Sequence, residues 1–97
     1  MMRLDHIGVV VQDLENSKKY YQDLYGYKEF SSVIDEPEKN VKIVFARAYQ
    51  AGCADIELIQ PIGENSAVYN FLKKTGGGIH HLCYRSEEHT SELQSQR

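Results

Sequence analysis

The stretch "LDHIGVVVQDLENSKKYYQDLYGYKE", residues 4–29, decides how the fold is read. Its opening, Leu4 to Val11, is short and rich in β-branched residues, which predicts a strand. Side chains alternate along a strand, so His6, Gly8 and Val10 share one face and Ile7, Val9 and Val11 the other. Asp13 then stands where a helix N-cap belongs. Leu14, Ser17, Tyr21, Leu24 and Tyr25 recur at helical spacing until Gly26 ends the run.

Downstream, Tyr27 to Ile34 predicts a second strand, ended by the polar turn "DEPEKN" at residues 35–40. Val41 to Ala46 predicts a third strand, and Ala54 to Gln60 a fourth, closed by Pro61. Asn65 or Ser66 is expected to cap a short second helix with Ala67, Val68, Phe71 and Leu72 on its apolar side. Lys73 and Lys74 fall in its last turn, where the helix dipole favours positive charge. Gly76, Gly77 and Gly78 end it, and Ile79 to Arg85 predicts a fifth strand, in which alternation sends His80 and His81 to opposite faces. The order strand, helix, three strands, helix, strand is an α+β pattern. "IHHLCYRS" echoes "LDHIGVVV", so a second structural unit is expected to begin at Ile79. Residues 1–85 are therefore read as the folded module. Residues 86–97, "SEEHTSELQSQR", contain one Leu and no periodicity, and are read as a disordered tail.

Composition excludes several classes of function. A chain of 97 residues forms one small domain, and a net charge of −3 without a Lys/Arg stripe argues against nucleic acid or an anionic membrane as partner. The apolar run Ile7 to Val11 is too short for a signal-peptide core or a membrane span, so a cytoplasmic protein is expected. Cys53 and Cys83 lack any paired spacing and read as thiols of a reducing compartment. Seven tyrosines and no tryptophan suggest no function by themselves.

Three polar side chains interrupt otherwise apolar strands: His6, Glu57 in "DIELIQP" (residues 55–61) and His81. A carboxylate inside a strand is costly unless positive charge meets it. A divalent cation held by two neutral imidazoles and that carboxylate would satisfy all three and leave positions open for Lewis-acid chemistry. The residues alone leave a second reading open, in which the histidines are hydrogen-bonded structural residues and Glu57 faces solvent. His89 reads as a solvated tail residue. The three glycines read as a helix end rather than a phosphate loop, because no Lys-Ser/Thr follows them.

The opening stretch resembles the vicinal oxygen chelate (glyoxalase/bleomycin resistance) superfamily, through its strand-one His, its "V-x-D-L-x-x-S-x-x-Y-Y" helix entry and the Gly at the helix end. Within it, "IELIQPIGENSAVYNFLKKTGGGIHHLCYRS" (residues 56–86) is similar to the methylmalonyl-CoA epimerase family. The resemblance runs from Arg3 to Arg85. It implies a βαβββ module, ordinarily present twice, with the first strand of a second module at the end of this chain. It also implies a divalent metal (Co, Ni, Mn or Zn) on His6, Glu57 and His81. The implied activity is epimerisation of an acyl-CoA thioester through a metal-stabilised enolate, in a parent enzyme expected to be a homodimer. The family's fourth ligand, a late Glu, has no counterpart here, and Lys42 falls at one family position for a catalytic carboxylate, so no acid/base is assigned. "RSEEHTSELQS" is similar to a translated sequencing-adapter remnant, which implies that the tail of residues 86–97 is non-native. The chain is therefore expected to be the front part of a longer enzyme and to be inactive alone. The alternatives are glyoxalase I, which uses equivalent ligand positions, and a non-catalytic resistance-type binding protein, which needs no ligands there.

Overall fold

A computed structural model of the chain describes residues 1–86 and 94–96. The elements are β1 (Met2–Val10), α1 (Leu14–Tyr25), β2 (Ile34–Glu36), β3 (Val41–Ala46), β4 (Asp55–Pro61), α2 (Tyr69–Thr75), β5 (Gly78–Ser86) and β6 (Gln94–Gln96). They form one mixed sheet in the order β2-β3-β4-β1-β5-β6. β1 runs parallel to β4, and every other neighbouring pair is antiparallel. Elements β1 to β4 with α1 make the expected βαβββ unit, and the fold is α+β.

Helix α1 begins and ends where its sequence dictates. The Asp13 carboxylate accepts the Asn16 N–H at 3.1 Å, and Gly26 takes the left-handed conformation, φ 79°, that a residue with a Cβ avoids. The Leu14 N–H donates to Gln60 Oε1 at 2.8 Å, which ties the first turn of the helix to β4. One face of the sheet packs on α1 through Val9, Leu14, Val44, Ala46, Ile56 and Leu58. On the other face Val10, Val41, Ile43 and Ile59 pack with Val68, and Phe71 and Leu72 of α2 cover them. The alternation read along residues 6–11 is therefore realised, and His6 falls on the α2 side.

Three expectations differ in detail. The strand expected over residues 27–34 is reduced to a single bridge, Phe30 with Ala46, and β2 starts only at Ile34. The Ser31 hydroxyl accepts the Phe45 N–H at 2.9 Å, so a side chain takes a bond that a regular ladder would use. Helix α2 starts at Tyr69 with no side-chain cap, because the Ser66 hydroxyl accepts the Val68 N–H at 3.3 Å, ahead of the helix. The tail expected from residue 86 also contains regular structure. Ser86 closes β5 opposite Met2, and Gln94–Gln96 pair with β5 along Leu82–Tyr84, where an uncovered strand edge offers free backbone groups. Residues 87–93, including His89, and residue 97 lie outside the described residues.

The tyrosines have a structural use. Tyr21 and Tyr25 lie 5.0 Å apart at the end of α1, and Tyr27 and Tyr49 lie 5.3 Å apart beside them. The Tyr27 hydroxyl donates to the Ala54 carbonyl at 2.8 Å, fastening the loop before β4. Cys53 and Cys83 form no disulfide. No helix among the described residues is long and apolar enough to cross a membrane.

Candidate metal centre

Three neighbouring strands bring the polar residues together. Gly8 of β1 pairs with Glu57 of β4 on one side and with His81 of β5 on the other, so these three form one row across the sheet. His6 stands two residues earlier on the same face of β1. The glycine is required by a close approach, since a Cβ at Gly8 would lie 2.2 Å from His81 Cε1. The imidazole of His81 thus lies over the bare backbone of β1, beside His6, with ring centroids 5.8 Å apart. Phe45, opposite Glu57 in β3, meets the His6 ring edge-on at 5.9 Å. The side chains of His6, Glu57 and His81 are only 13%, 14% and 17% exposed.

The two imidazoles converge on one oxygen. His6 Nε2 and His81 Nε2 each lie 3.3 Å from Glu57 Oε1. With metal–ligand bonds of about 2.0–2.2 Å, tetrahedral donors sit roughly 3.3–3.6 Å apart. The donor set of two nitrogens and a carboxylate suits Zn, Co, Ni or Mn. Proton bookkeeping supports the fit. His6 Nδ1 lies 2.8 Å from Asp5 Oδ2. An ionised carboxylate only accepts, so Nδ1 carries the hydrogen, and a neutral His6 presents a bare Nε2 lone pair to Glu57 Oε1. Either a second proton on His6 or a metal cation between those two electron-rich atoms resolves the contact, so the geometry is compatible with an ion there. His6, Glu57 and His81 would hold it.

Strand alternation fails at two places beside this centre. Leu4 pairs with Tyr84 but His6 with Cys83, so Asp5 is an extra residue in β1. Gly8 pairs with His81 but Val9 with Ile79, so His80 is an extra residue in β5. Both are β-bulges, which re-aim side chains. His80 was expected on the face opposite His81. Instead it lines the same cleft, with Nδ1 2.9 Å from His81 Nδ1. Neither Asp5 nor Gly8 stood out by residue type, although "D-H-x-G" holds both.

The cleft measures about 430 Å³, and Val41, Ile43, Ile59 and Cys83 supply apolar walls. Lys42 is not among its lining residues. It pairs with Gln60, whose side chain bonds the first turn of α1, and so belongs to the other face of β3. Glu36, at the end of β2, is the carboxylate that does line the cleft besides Glu57, with Lys39 Nζ 4.0 Å from its Oε1. Asp5, His6 and Cys83 form a second group with ligand atoms within 4.8 Å of one another. Both Asp5 oxygens are already engaged, Oδ2 by His6 and Oδ1 by Arg85 Nη1 at 3.4 Å, which favours the group built on Glu57.

Comparison with known proteins follows the same line. The family model described as glyoxalase/bleomycin resistance protein/dioxygenase superfamily matches residues 5–96. Mitochondrial methylmalonyl-CoA epimerase of Mus musculus is 39% identical over 82 residues, covering 84% of this chain and 44% of that protein. Ethylmalonyl-CoA/methylmalonyl-CoA epimerase of Cereibacter sphaeroides is 38% identical over 87 residues, covering 89% of this chain and 62% of that protein. A solved structure of a Streptomyces coelicolor methylmalonyl-CoA epimerase variant, in complex with 2-nitronate-propionyl-CoA, superposes with a TM-score of 0.76. It is 28% identical, and the match covers 89% of this chain and 61% of that one. The chain thus spans less than two thirds of the length of these relatives.

Proposed function

Since the chain belongs to the glyoxalase/bleomycin resistance protein/dioxygenase superfamily, we propose that it forms part of the active site of a divalent-metal-dependent epimerase acting on an acyl-CoA thioester of the methylmalonyl-CoA class. The observation that carries this reading is the convergence of His6 Nε2 and His81 Nε2 on Glu57 Oε1, each at 3.3 Å, at a cleft of about 430 Å³. Relatives named as methylmalonyl-CoA epimerases supply the substrate class and favour it over the glyoxalase I alternative. A divalent cation held there would polarise the acyl oxygens and stabilise the enolate left when the α-proton departs.

The protein's own part is to hold and to shield. His6 and His81 come from two paired strands and Glu57 from a third, so the donors are fixed by backbone rather than by loops. Val41, Ile43 and Ile59 line the cleft and exclude water around an acyl group. Glu36 is the other carboxylate among the residues that line this cleft, and the proton-carrying role is assigned to it as part of the proposal. Among the described residues no fourth donor joins His6, Glu57 and His81. Low turnover by the chain alone is part of the proposal.

The test is metal content and turnover together. The chain purified with Co²⁺ is expected to retain one ion, and His81→Ala to retain none. A protein that binds no Co²⁺, or binds it equally well after His81→Ala, overturns the metal reading and leaves a binding module. Deuterium exchange into methylmalonyl-CoA is expected to be slow with the chain alone, and rapid exchange would refute the low-turnover part.

A further inference from the structure

The two bulges do the same thing to the two histidines. In β1 the extra residue is Asp5, and its Oδ2 lies 2.8 Å from His6 Nδ1. In β5 the extra residue is His80, and its Nδ1 lies 2.9 Å from His81 Nδ1. In regular strands Asp5 and His80 would face away from their neighbours. The insertions bring each onto the side of the adjacent imidazole, and in both cases the nitrogen engaged is the one turned away from Glu57. We infer that the paired bulges supply a positioning residue for each imidazole, Asp5 for His6 and His80 for His81. Each fixes the Nδ1–H tautomer and aims Nε2 at the shared point beside Glu57.

Each positioning residue is itself held. Arg85 Nη1 lies 3.4 Å from Asp5 Oδ1, so the carboxylate is clamped at one oxygen and offers the other to His6. His80 stands edge-on to Phe71 of α2, with centroids 5.0 Å apart, which sets its ring plane. Hydrogen balance fixes the second pair. For His81 Nε2 to offer a lone pair, His81 Nδ1 must carry the hydrogen and donate it to His80 Nδ1, so His80 holds its own proton on Nε2. The two arrangements differ in strength. An ionised acceptor makes the more strongly held contact, so Asp5 orients His6 more firmly than His80 orients His81. An outer partner of this kind orders a ligand before the ion arrives, and its removal typically costs 10- to 100-fold in metal affinity.

This inference rests on the metal reading of the centre, and the experiment separates the two. The full chain and its variants are titrated with Co²⁺ and followed by visible absorption, while ring ¹⁵N shifts of the ion-free protein report the His6 tautomer. Asp5→Ala and His80→Ala are each expected to weaken Co²⁺ binding about 10- to 100-fold and to alter the Co²⁺ spectrum. Asp5→Asn and His80→Gln, which keep an acceptor, are expected to recover most of the affinity. Arg85→Met, at a half-exposed position, leaves Asp5 in place but unclamped and is expected to give a smaller loss; it serves if Asp5→Ala fails to fold. In the ion-free wild type His6 is expected in the Nδ1–H form, shifting toward Nε2–H in Asp5→Ala. Unchanged affinity and spectrum in both alanine variants would overturn the inference, as would a wild-type His6 already in the Nε2–H form. A wild type that binds no Co²⁺ sinks the metal reading instead, and the ¹⁵N shifts still decide whether Asp5 positions His6.

Discussion

Alanine at position 8 would place a methyl group inside the space that His81 occupies. The added carbon would lie 2.2 Å from Cε1, 2.5 Å from Nε2 and 2.6 Å from Nδ1 of that ring. Ordinary contact begins at 3.4 Å, so the ring must retreat by about 1.2 Å, the difference between 3.4 and 2.2 Å. A metal bond of about 2.1 Å does not survive such a shift of its donor, so Co²⁺ affinity is expected to fall at least about 100-fold, more than an outer-shell loss. Stability responds differently. Gly8 is not in the left-handed region, so alanine gains about 0.4–1 kcal/mol through the unfolded chain, against about 1–3 kcal/mol for overpacking. The ring borders an open cleft and can yield, so the net cost is expected near 1 kcal/mol, a fall in Tm of about 4–8 °C. Co²⁺ titration and thermal unfolding of the ion-free protein read the two quantities apart. In a double-mutant cycle, Gly8→Ala should add little to His81→Ala, because the ring it displaces is gone. Gly8→Ala with wild-type Co²⁺ affinity would refute the row Glu57–Gly8–His81 as the frame of the site.

How much of this was legible in the sequence follows from which rules hold locally. The α1 boundaries were readable because Asp13 and Gly26 act through neighbours within the next or previous turn. His6, Glu57 and His81 were readable as a group because each is a polar residue that a regular strand places among apolar ones. Asp5 and His80 were not readable as partners. Period two sends each to the wrong face, and a bulge is a property of two paired strands, visible only once Leu4 meets Tyr84 and Gly8 meets His81. Gly8 fits the strand without strain, so its need appears only when the imidazole from β5 is placed over it. The weak edge at residues 27–33 misled for a related reason. Its composition suits a strand, yet the Ser31 hydroxyl competes for the Phe45 N–H, and that competition is not written in hydrophobic spacing. Lys42 was placed by alignment along β3 alone. The pairing with Gln60, itself committed to α1, is what turns that position from the cleft.

Removal of bound Co²⁺ by a chelator is expected to lower stability, because an ion that binds only the folded chain contributes about 2.7 kcal/mol at 100 times its Kd. Thermal melts with and without chelator check this, and superimposable curves would show that no ion is held in the folded state. Replacing Tyr27 by Phe removes the hydroxyl that donates to the Ala54 carbonyl at 2.8 Å, and a loss of about 0.5–1.5 kcal/mol is expected at neutral pH by urea unfolding. The same variant carries a pH signature. Burial, more than the neighbouring Cys53 and tyrosines, pushes the Tyr27 hydroxyl above its ordinary 10.0. The unfolded chain therefore loses this proton first as pH rises, and between 10.0 and the raised value the folded protein binds more protons. Stability from the neutral phenol is complete below pH 10.0 and is lost as pH climbs through the folded value. Tyr21, raised by burial first and then by Tyr25 and Tyr20, tilts the curve the same way in both proteins. The wild type should consequently lose stability more steeply than Tyr27→Phe above pH 10. Parallel curves over that range would mean that the phenol is no better sheltered in the fold than in the unfolded chain.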